Sequence, residues 1–372
     1  MEVESEALSL FLELAALPSP PGEERAVADV VLGYLRALGL EPDEDDCGAG
    51  IGSTMGNVYA RLEPTEPGTP VFFCAHLDTV PPSGPLEPVV EDGVVRNAGG
   101  TILGADDKSA VVAMLEAVRR VLAENRRHAG IELLFTPKEE VGLLGAAAFV
   151  HDRLHAQIGY VYDQAAPIGE IVLGAPWSQS LEVTFHGRAA HSGMYPEEGR
   201  SAVQAAAKAI ADLRLGRVDE LTTANVGTIT GGTAGNVVPE WCTFRAEARS
   251  QDERRLNELV QEMVDASSFA ATATECEVET ELRKSYNGYR LKREEPVVRL
   301  AAQALATCGH EPRYVLSGGG ADANVFNDRG RRCLNLANGM TDIHTPDERI
   351  AVADLDAMVD VTLALVDAAR SA

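Results

Sequence analysis

Five short segments carry side chains whose types and spacing could do chemistry together. In Ala75-His76-Leu77-Asp78-Thr79-Val80 an imidazole is followed two residues later by a carboxylate. A metal-bound histidine commonly donates its other ring N–H to such a group, which fixes the tautomer and raises basicity. Taken singly, H-x-D is an ordinary structural pairing. Gly104-Ala105-Asp106-Asp107-Lys108 sets two carboxylates at a helix start, where they could simply cap the helix. The chemical alternative places Asp106 between two cations, one oxygen on each. Phe135-Thr136-Pro137-Lys138-Glu139-Glu140-Val141-Gly142 closes an apolar run with paired glutamates. Neighbouring carboxylates repel unless a cation or proton relieves them. One of the two can hold a metal while the other takes a proton from water, and a solvated pair is the plain alternative. Tyr160-Val161-Tyr162-Asp163 and Ile343-His344-Thr345-Pro346-Asp347-Glu348 add a further carboxylate and a second imidazole.

Each segment falls just after an expected strand or in a loop. Asn57 to Leu62, Pro70 to His76, Ile131 to Thr136 and Ile158 to Tyr162 read as strands. Ser5 to Leu17, Glu23 to Leu38, Asp107 to Asn125 and Gly145 to Leu154 read as helices. This alternation implies a mostly parallel sheet with helices on both faces. Ligands of such sheets bind beyond the carboxyl ends of the strands, so the five segments can converge. From about Trp177 the style changes. Strands at Leu181 to His186, Asn225 to Thr230, Val237 to Ala248 and Glu275 to Leu282 enclose helices at Ser201 to Leu213 and Glu253 to Ala270. That β-α-β-β-α-β order predicts a four-stranded ferredoxin-like unit. Helices at Glu295 to Thr307 and Ala353 to Ala368, with strands at Arg313 to Leu316 and Cys333 to Leu336, then return to the first style. The chain therefore reads as a discontinuous domain, 1–176 with 288–372, interrupted by an inserted domain at 177–287.

With 372 residues the chain exceeds what one core usually supports. A net charge of −25 argues against nucleic acid or an anionic membrane as partner. The six cysteines are scattered, as free thiols in a reducing compartment would be. The acidic start, Met1-Glu2-Val3-Glu4, is unlike a basic secretory signal, and the expected location is cytoplasmic.

Taken together, H-L-D-T-V, G-A-D-D-K, F-T-P-K-E-E-V-G, Y-D, H-S-G-M-Y-P-E-E-G-R-S-A, G-G-T-A-G-N-V-V-P-E, E-A-R-S, S-G-G-G-A-D-A-N and I-H-T-P-D-E resemble one family. It is the di-zinc metallopeptidase family of aminoacylase, carboxypeptidase G and tripeptidase T, and the chain is most similar to its peptidase T-like branch. The resemblance runs from about residue 70 to 350. It implies an α/β fold with a zinc-exopeptidase-like mixed sheet flanked by helices, and an inserted α+β ferredoxin-like lid that makes a homodimer. Carried across position by position, it implies that His76, Asp106 and Asp163 hold one metal ion. Asp106 again, Glu140 and His344 would hold the other. Asp78 would orient His76, Glu139 would be the general base, and the Asp106–Asp107 peptide would be cis. His191 stands where the family has a histidine that reaches the neighbour's site and stabilises an oxyanion. Asn236 and Arg249 match lid positions that contact substrate, and Gly319 lies in the glycine-rich turn beside it. Arg249 has a structural alternative as a strand-face ion pair. Gly318, Gly320 and Ala323 also satisfy a loose G-x-G-x-x-A dinucleotide pattern, but too late in the chain for that fold.

Two histidines and three carboxylates are nitrogen and oxygen donors suited to Zn²⁺, with Mn²⁺ or Co²⁺ as substitutes. Three carboxylates nearly neutralise two divalent ions and leave one positive charge to hold hydroxide and polarise a carbonyl. The expected activity is hydrolysis of amide bonds in short peptides by a metal-bridging water. The alternative with the same site is an N-acyl amino acid deacylase or a carboxypeptidase. A non-catalytic binding protein that keeps the fold, and a dehydrogenase, are the readings from other classes.

Overall fold

The computed structural model describes residues 5–372, and the acidic stretch before Ser5 lies outside them. The chain divides into two compact units, one made of the chain up to Ala175 with Tyr289–Ala372, the other of Pro176–Gly288.

The first unit is built on a nine-stranded mixed sheet. Its order is Asp43–Glu44, Val58–Leu62, Ile131–Thr136, Val71–His76, Ile158–Gln164, Arg332–Ala337, Glu170–Ala175 and Tyr289–Arg290, with Arg313–Leu316 alongside Glu170–Ala175. The four central strands, Ile131–Thr136 through Arg332–Ala337, run parallel. Val71–His76 and Ile131–Thr136 are buried at every position, as strands covered on both faces must be. The flanking pairs are antiparallel except that of Arg313–Leu316 with Glu170–Ala175, so the sheet is mixed rather than mostly parallel. Only the short segment 165–169 separates Ile158–Gln164 from Glu170–Ala175. That is too short for a crossover, and the second strand has to run back. A Cβ at Gly159 would sit 2.0 Å from the Phe72 ring, so only glycine lets the two strands lie this close.

The helix Ala105–Ala123 is buried from Ala105 to Val118 and packs against the helices Glu6–Ala15 and Val352–Arg370. Its first turn is irregular, because Asp106 and Asp107 leave helical dihedral angles. The peptide between them is cis, as the resemblance implied. The helix expected over Gly145 to Leu154 is instead a short helix, Leu144–Ala148, and a single turn, His151–Arg153, separated by an extended Phe149. Buried Arg331 donates to the carbonyls of His151 and Ala156, which holds this irregular segment in place. Pro88–Glu91, Val94–Asn97 and Arg349–Ala351 form a small antiparallel sheet that the sequence reading did not contain.

The second unit follows the β-α-β-β-α-β order through Trp177–His186, Ala202–Asp212, Thr222–Gly231, Trp241–Ser250, Glu253–Thr274 and Glu277–Tyr286. A fifth strand, Gly216–Asp219, joins the edge of the expected four by a hairpin with Thr222–Gly231. Alternate residues Leu181, Val183 and Phe185 face the two helices, where Ala205, Ala209, Leu256, Leu259 and Met263 complete the core. All six cysteines are free. No helix among the described residues is long and apolar enough to cross a membrane.

Candidate metal centre

Three neighbouring parallel strands each deliver a donor beyond or near their carboxyl ends. Val71–His76 ends on His76, Ile131–Thr136 leads through Pro137 and Lys138 to Glu139 and Glu140, and Ile158–Gln164 carries Asp163. The first turn of Ala105–Ala123 brings Asp106, and the segment after Arg332–Ala337 brings His344.

The Asp106 carboxylate lies between two histidines. Its Oδ1 is 3.3 Å from His76 Nε2, and its Oδ2 is 3.2 Å from His344 Nε2. His344 Nε2 is also 2.8 Å from Glu140 Oε1. Donor atoms of His76, Asp106 and Glu140 lie within 4.8 Å of one another, as do those of His76, Glu139 and Asp163. On the far side of the imidazole, His76 Nδ1 is 2.8 Å from the Asp78 carbonyl oxygen, which can only accept. Nδ1 therefore carries a proton, and Nε2 is left facing the Asp106 carboxylate. Neither His76 Nε2 nor Asp106 Oδ1 has a hydrogen-bond partner, although both are buried. An unsatisfied buried polar atom costs about 1–3 kcal/mol, more when charged. A divalent cation between nitrogen and oxygen donors removes that cost, and the residues present fit one.

Supporting bonds fix these side chains. The Asp78 carboxylate lies 3.5 Å from His76 Nδ1, and it accepts the backbone N–H groups of Glu139 at 2.9 Å and Glu140 at 3.1 Å. It thus ties two strand ends together, a task the H-x-D spacing did not reveal. Asn335 brackets Asp163, accepting from its N–H and donating to its carbonyl. Asn338 joins the Tyr162 carbonyl to Ser109 on the central helix. Glu348, buried, accepts N–H groups from Leu103, Gly104 and Asp106. The sequence reading singles out none of these three; a polar residue just past an apolar strand is a signal for Asn338 alone, since Asn335 lies within its strand and Glu348 in a loop.

His191 and Asn236 are exposed in the second unit, where Ser192 donates to the Asn236 carbonyl. Arg249, half-buried on Trp241–Ser250, pairs with Glu247 at 3.0 Å, the strand-face contact considered as its alternative. The Gly319 N–H donates to Ser317 Oγ.

Electrostatics in the metal-free cluster are severe. Burial, then the facing Asp163, pushes the Glu139 carboxyl well above the usual range. Asp163 is raised by burial and by Asp106. Burial opposes protonation of His76, but the facing carboxylates of Asp106 and Asp78 raise it well above the ordinary value. Asp106 and Glu140 raise His344 from 6.5 to about 10. A histidine raised in the folded state stabilises it fully below its unfolded value, and that stability disappears as pH rises through the folded value. Lys108, lowered by burial to about 7, acts in the opposite direction, but it is one group against two histidines. The metal-free protein is therefore expected to lose thermal stability between about pH 6.5 and 10. Saturating divalent metal, which displaces those protons, is expected to abolish the loss. Calorimetry across this range, with chelator and with metal, checks it.

An α/β unit that gathers histidines and carboxylates at the ends of parallel strands, in a chain that also holds a ferredoxin-like unit, has the architecture of a metallohydrolase. The chain belongs to Peptidase family M20/M25/M40, whose sequence pattern matches residues 72–368. YqjE of Bacillus subtilis (strain 168) is 37% identical over 366 residues, 98% of this chain and 99% of that protein. The crystal structure of aminopeptidase PepT from Bacillus cereus ATCC 10987 is 36% identical, covers 99% of both chains and superposes with a TM-score of 0.87. That of a tripeptidase from Staphylococcus aureus Mu50 is 33% identical, covers 100% of this chain and 99% of its own, and gives 0.93. The chain is thus a peptidase-family hydrolase similar to the peptidase T-like branch.

Proposed function

We propose that the protein is a di-metal exopeptidase that releases the N-terminal residue of short peptides. The observation that carries this is the buried Asp106 carboxylate, whose two oxygens face two different histidines. In this reading His76, Asp106 and Asp163 hold one ion, and Asp106, Glu140 and His344 hold the other. Zn²⁺ is the ion the donor set suits best, with Mn²⁺ or Co²⁺ able to replace it. When bound, such ions supply Lewis acidity for the scissile carbonyl and acidify the attacking water.

The remaining chemistry falls to the chain. Glu139 is buried beside His76 and Asp163, within the cluster that would hold the ions and the attacking water. It takes the proton of the attacking water and passes it to the leaving amine. Asp78 holds the Glu139–Glu140 backbone and the His76 ring in register. Following the resemblance, His191, Asn236, Arg249 and Gly319 are assigned to substrate recognition, the second unit to homodimer formation, and the protein to the cytoplasm.

The names of the two structural relatives, an aminopeptidase and a tripeptidase, support recognition of a free N-terminus. A tripeptide is expected to be cleaved, and N-acetylation is expected to lower kcat/KM by about 100-fold, the value of one lost charged hydrogen bond. C-terminal amidation should be tolerated. Liquid chromatography of the products decides: cleavage of the acetylated but not the amidated peptide would establish the carboxypeptidase or deacylase alternative instead.

A further inference from the structure

Glu348 lies four residues beyond His344 and 242 residues from Asp106 in sequence, yet its carboxylate ends on the Asp106 backbone. It is 2% exposed. Oε2 accepts from Leu103 N at 2.7 Å and Gly104 N at 2.8 Å, and Oε1 accepts from Asp106 N at 3.0 Å. Three amides can converge on one carboxylate because Gly104 adopts φ +77, the left-handed region that favours glycine. A Cβ there would also press on Thr79 Cγ2 at 3.2 Å.

The other end of the tie is stiff as well. Thr341 and Arg349 exchange both backbone hydrogen bonds, at 3.0 and 3.1 Å, which closes the loop 341–349 at its base. Glu348 N donates to the Thr345 carbonyl, and Arg349 pairs with Asp342 across the same loop. His344 sits inside this closed loop at φ +63, a conformation a non-glycine residue adopts only when its surroundings hold it there. A displacement of Glu348 therefore carries His344 with it.

We propose that Glu348 is a positioning residue that sets the separation of His344 from Asp106. It would thereby fix the geometry in which the second ion is held between Asp106, Glu140 and His344. The proposal rests on the di-metal reading, but the tie itself exists in the metal-free chain. Glutamine in its place keeps the volume but exchanges one acceptor oxygen for an NH₂ group, which faces an N–H donor whichever way the amide is turned.

A matched control exists in the same unit. Glu132 is 1% exposed and likewise accepts backbone N–H groups, those of His155 and Ala156, at the opposite end of its strand from Glu139. Both E348Q and E132Q should lower thermal stability, so stability does not separate a positioning role from a purely structural one.

Two other measurements on the full chain do. In chelated protein, amide hydrogen exchange across Leu103–Asp106 should quicken in E348Q by at least about tenfold, the loss of about one hydrogen bond, and stay at the wild-type rate in E132Q. In Co²⁺ titrations followed by visible absorption, E348Q should bind its second ion about 10–100-fold more weakly, with a changed spectrum, while E132Q matches wild type. Unchanged exchange in E348Q, wild-type Co²⁺ affinity in E348Q, or equal weakening in E132Q would each overturn the proposal. A wild-type chain that takes up no Co²⁺ would overturn the di-metal reading and, with it, the ion-holding part of this proposal. The exchange result would then decide the tie itself.

Discussion

Replacing Glu139 by glutamine is expected to lower kcat by about 10²–10⁴-fold while the protein keeps its metal ions and its fold. The side chain is 8% exposed and packed beside His76 and Asp163, so an isosteric amide fills the same space. Its own backbone N–H, not its carboxyl group, makes the bond to Asp78 that orders this strand end. Glutamine cannot take a proton from water, and this single loss should appear in kcat with KM near the wild-type value. Steady-state kinetics with a tripeptide, together with metal content by mass spectrometry, would show it. Turnover within about threefold of wild type would remove Glu139 from the mechanism.

Asp106→Asn is the second large effect. Oδ1 faces His76 and Oδ2 faces His344, so one carboxylate serves both halves of the cluster. An asparagine offers one oxygen and one NH₂ group, and the latter cannot ligate a cation. In the di-metal reading one half would therefore lose its shared donor, and the cluster would lose a negative charge that balances two dications. Turnover is expected to fall by at least about 10³-fold, roughly 4 kcal/mol of lost transition-state stabilisation. Unlike the Glu139 variant, this one should also fail to retain its metal through gel filtration.

These expectations rest on features of unequal visibility in the sequence. Val71–His76 and Ile131–Thr136 are legible because short, largely apolar runs flanked by glycine and proline are too short for helices and read as buried strands. The strand Glu170–Ala175 and the small sheet joining Arg349–Ala351 to Val94–Asn97 are not. Their pairing partners include segments far away in sequence, and such short strands carry weak periodicity. The helix expected over Gly145 to Leu154 is interrupted at Phe149, and the segment after it is held by Arg331, which is distant in sequence.

The candidate site shows the same division. The segments that carry His76, Asp106, Glu139, Glu140, Asp163 and His344 stand out by residue type and by position near element ends, while the role of each residue, that of Asp163 above all, comes from the family resemblance. Nothing local in Tyr160-Val161-Tyr162-Asp163 told of Asn335, which brackets the Asp163 backbone from a neighbouring strand. Asp78 was visible as a partner for His76, but its bonds to Glu139 and Glu140 depend on two strands lying side by side. Glu348 looked like one more acid in an acidic chain. Only the three-dimensional path of the backbone shows that it accepts from the segment leading into Asp106.

The central claim is that Asp106 joins two ion sites, and equilibrium dialysis tests it most directly. Chelated wild-type and D106N protein would be dialysed side by side against micromolar Zn²⁺ at neutral pH, and bound metal counted per chain. Two ions for the wild type, with at least one lost in D106N, is the predicted result. A wild-type chain that binds none, or a D106N chain that still holds two as tightly, would contradict the account.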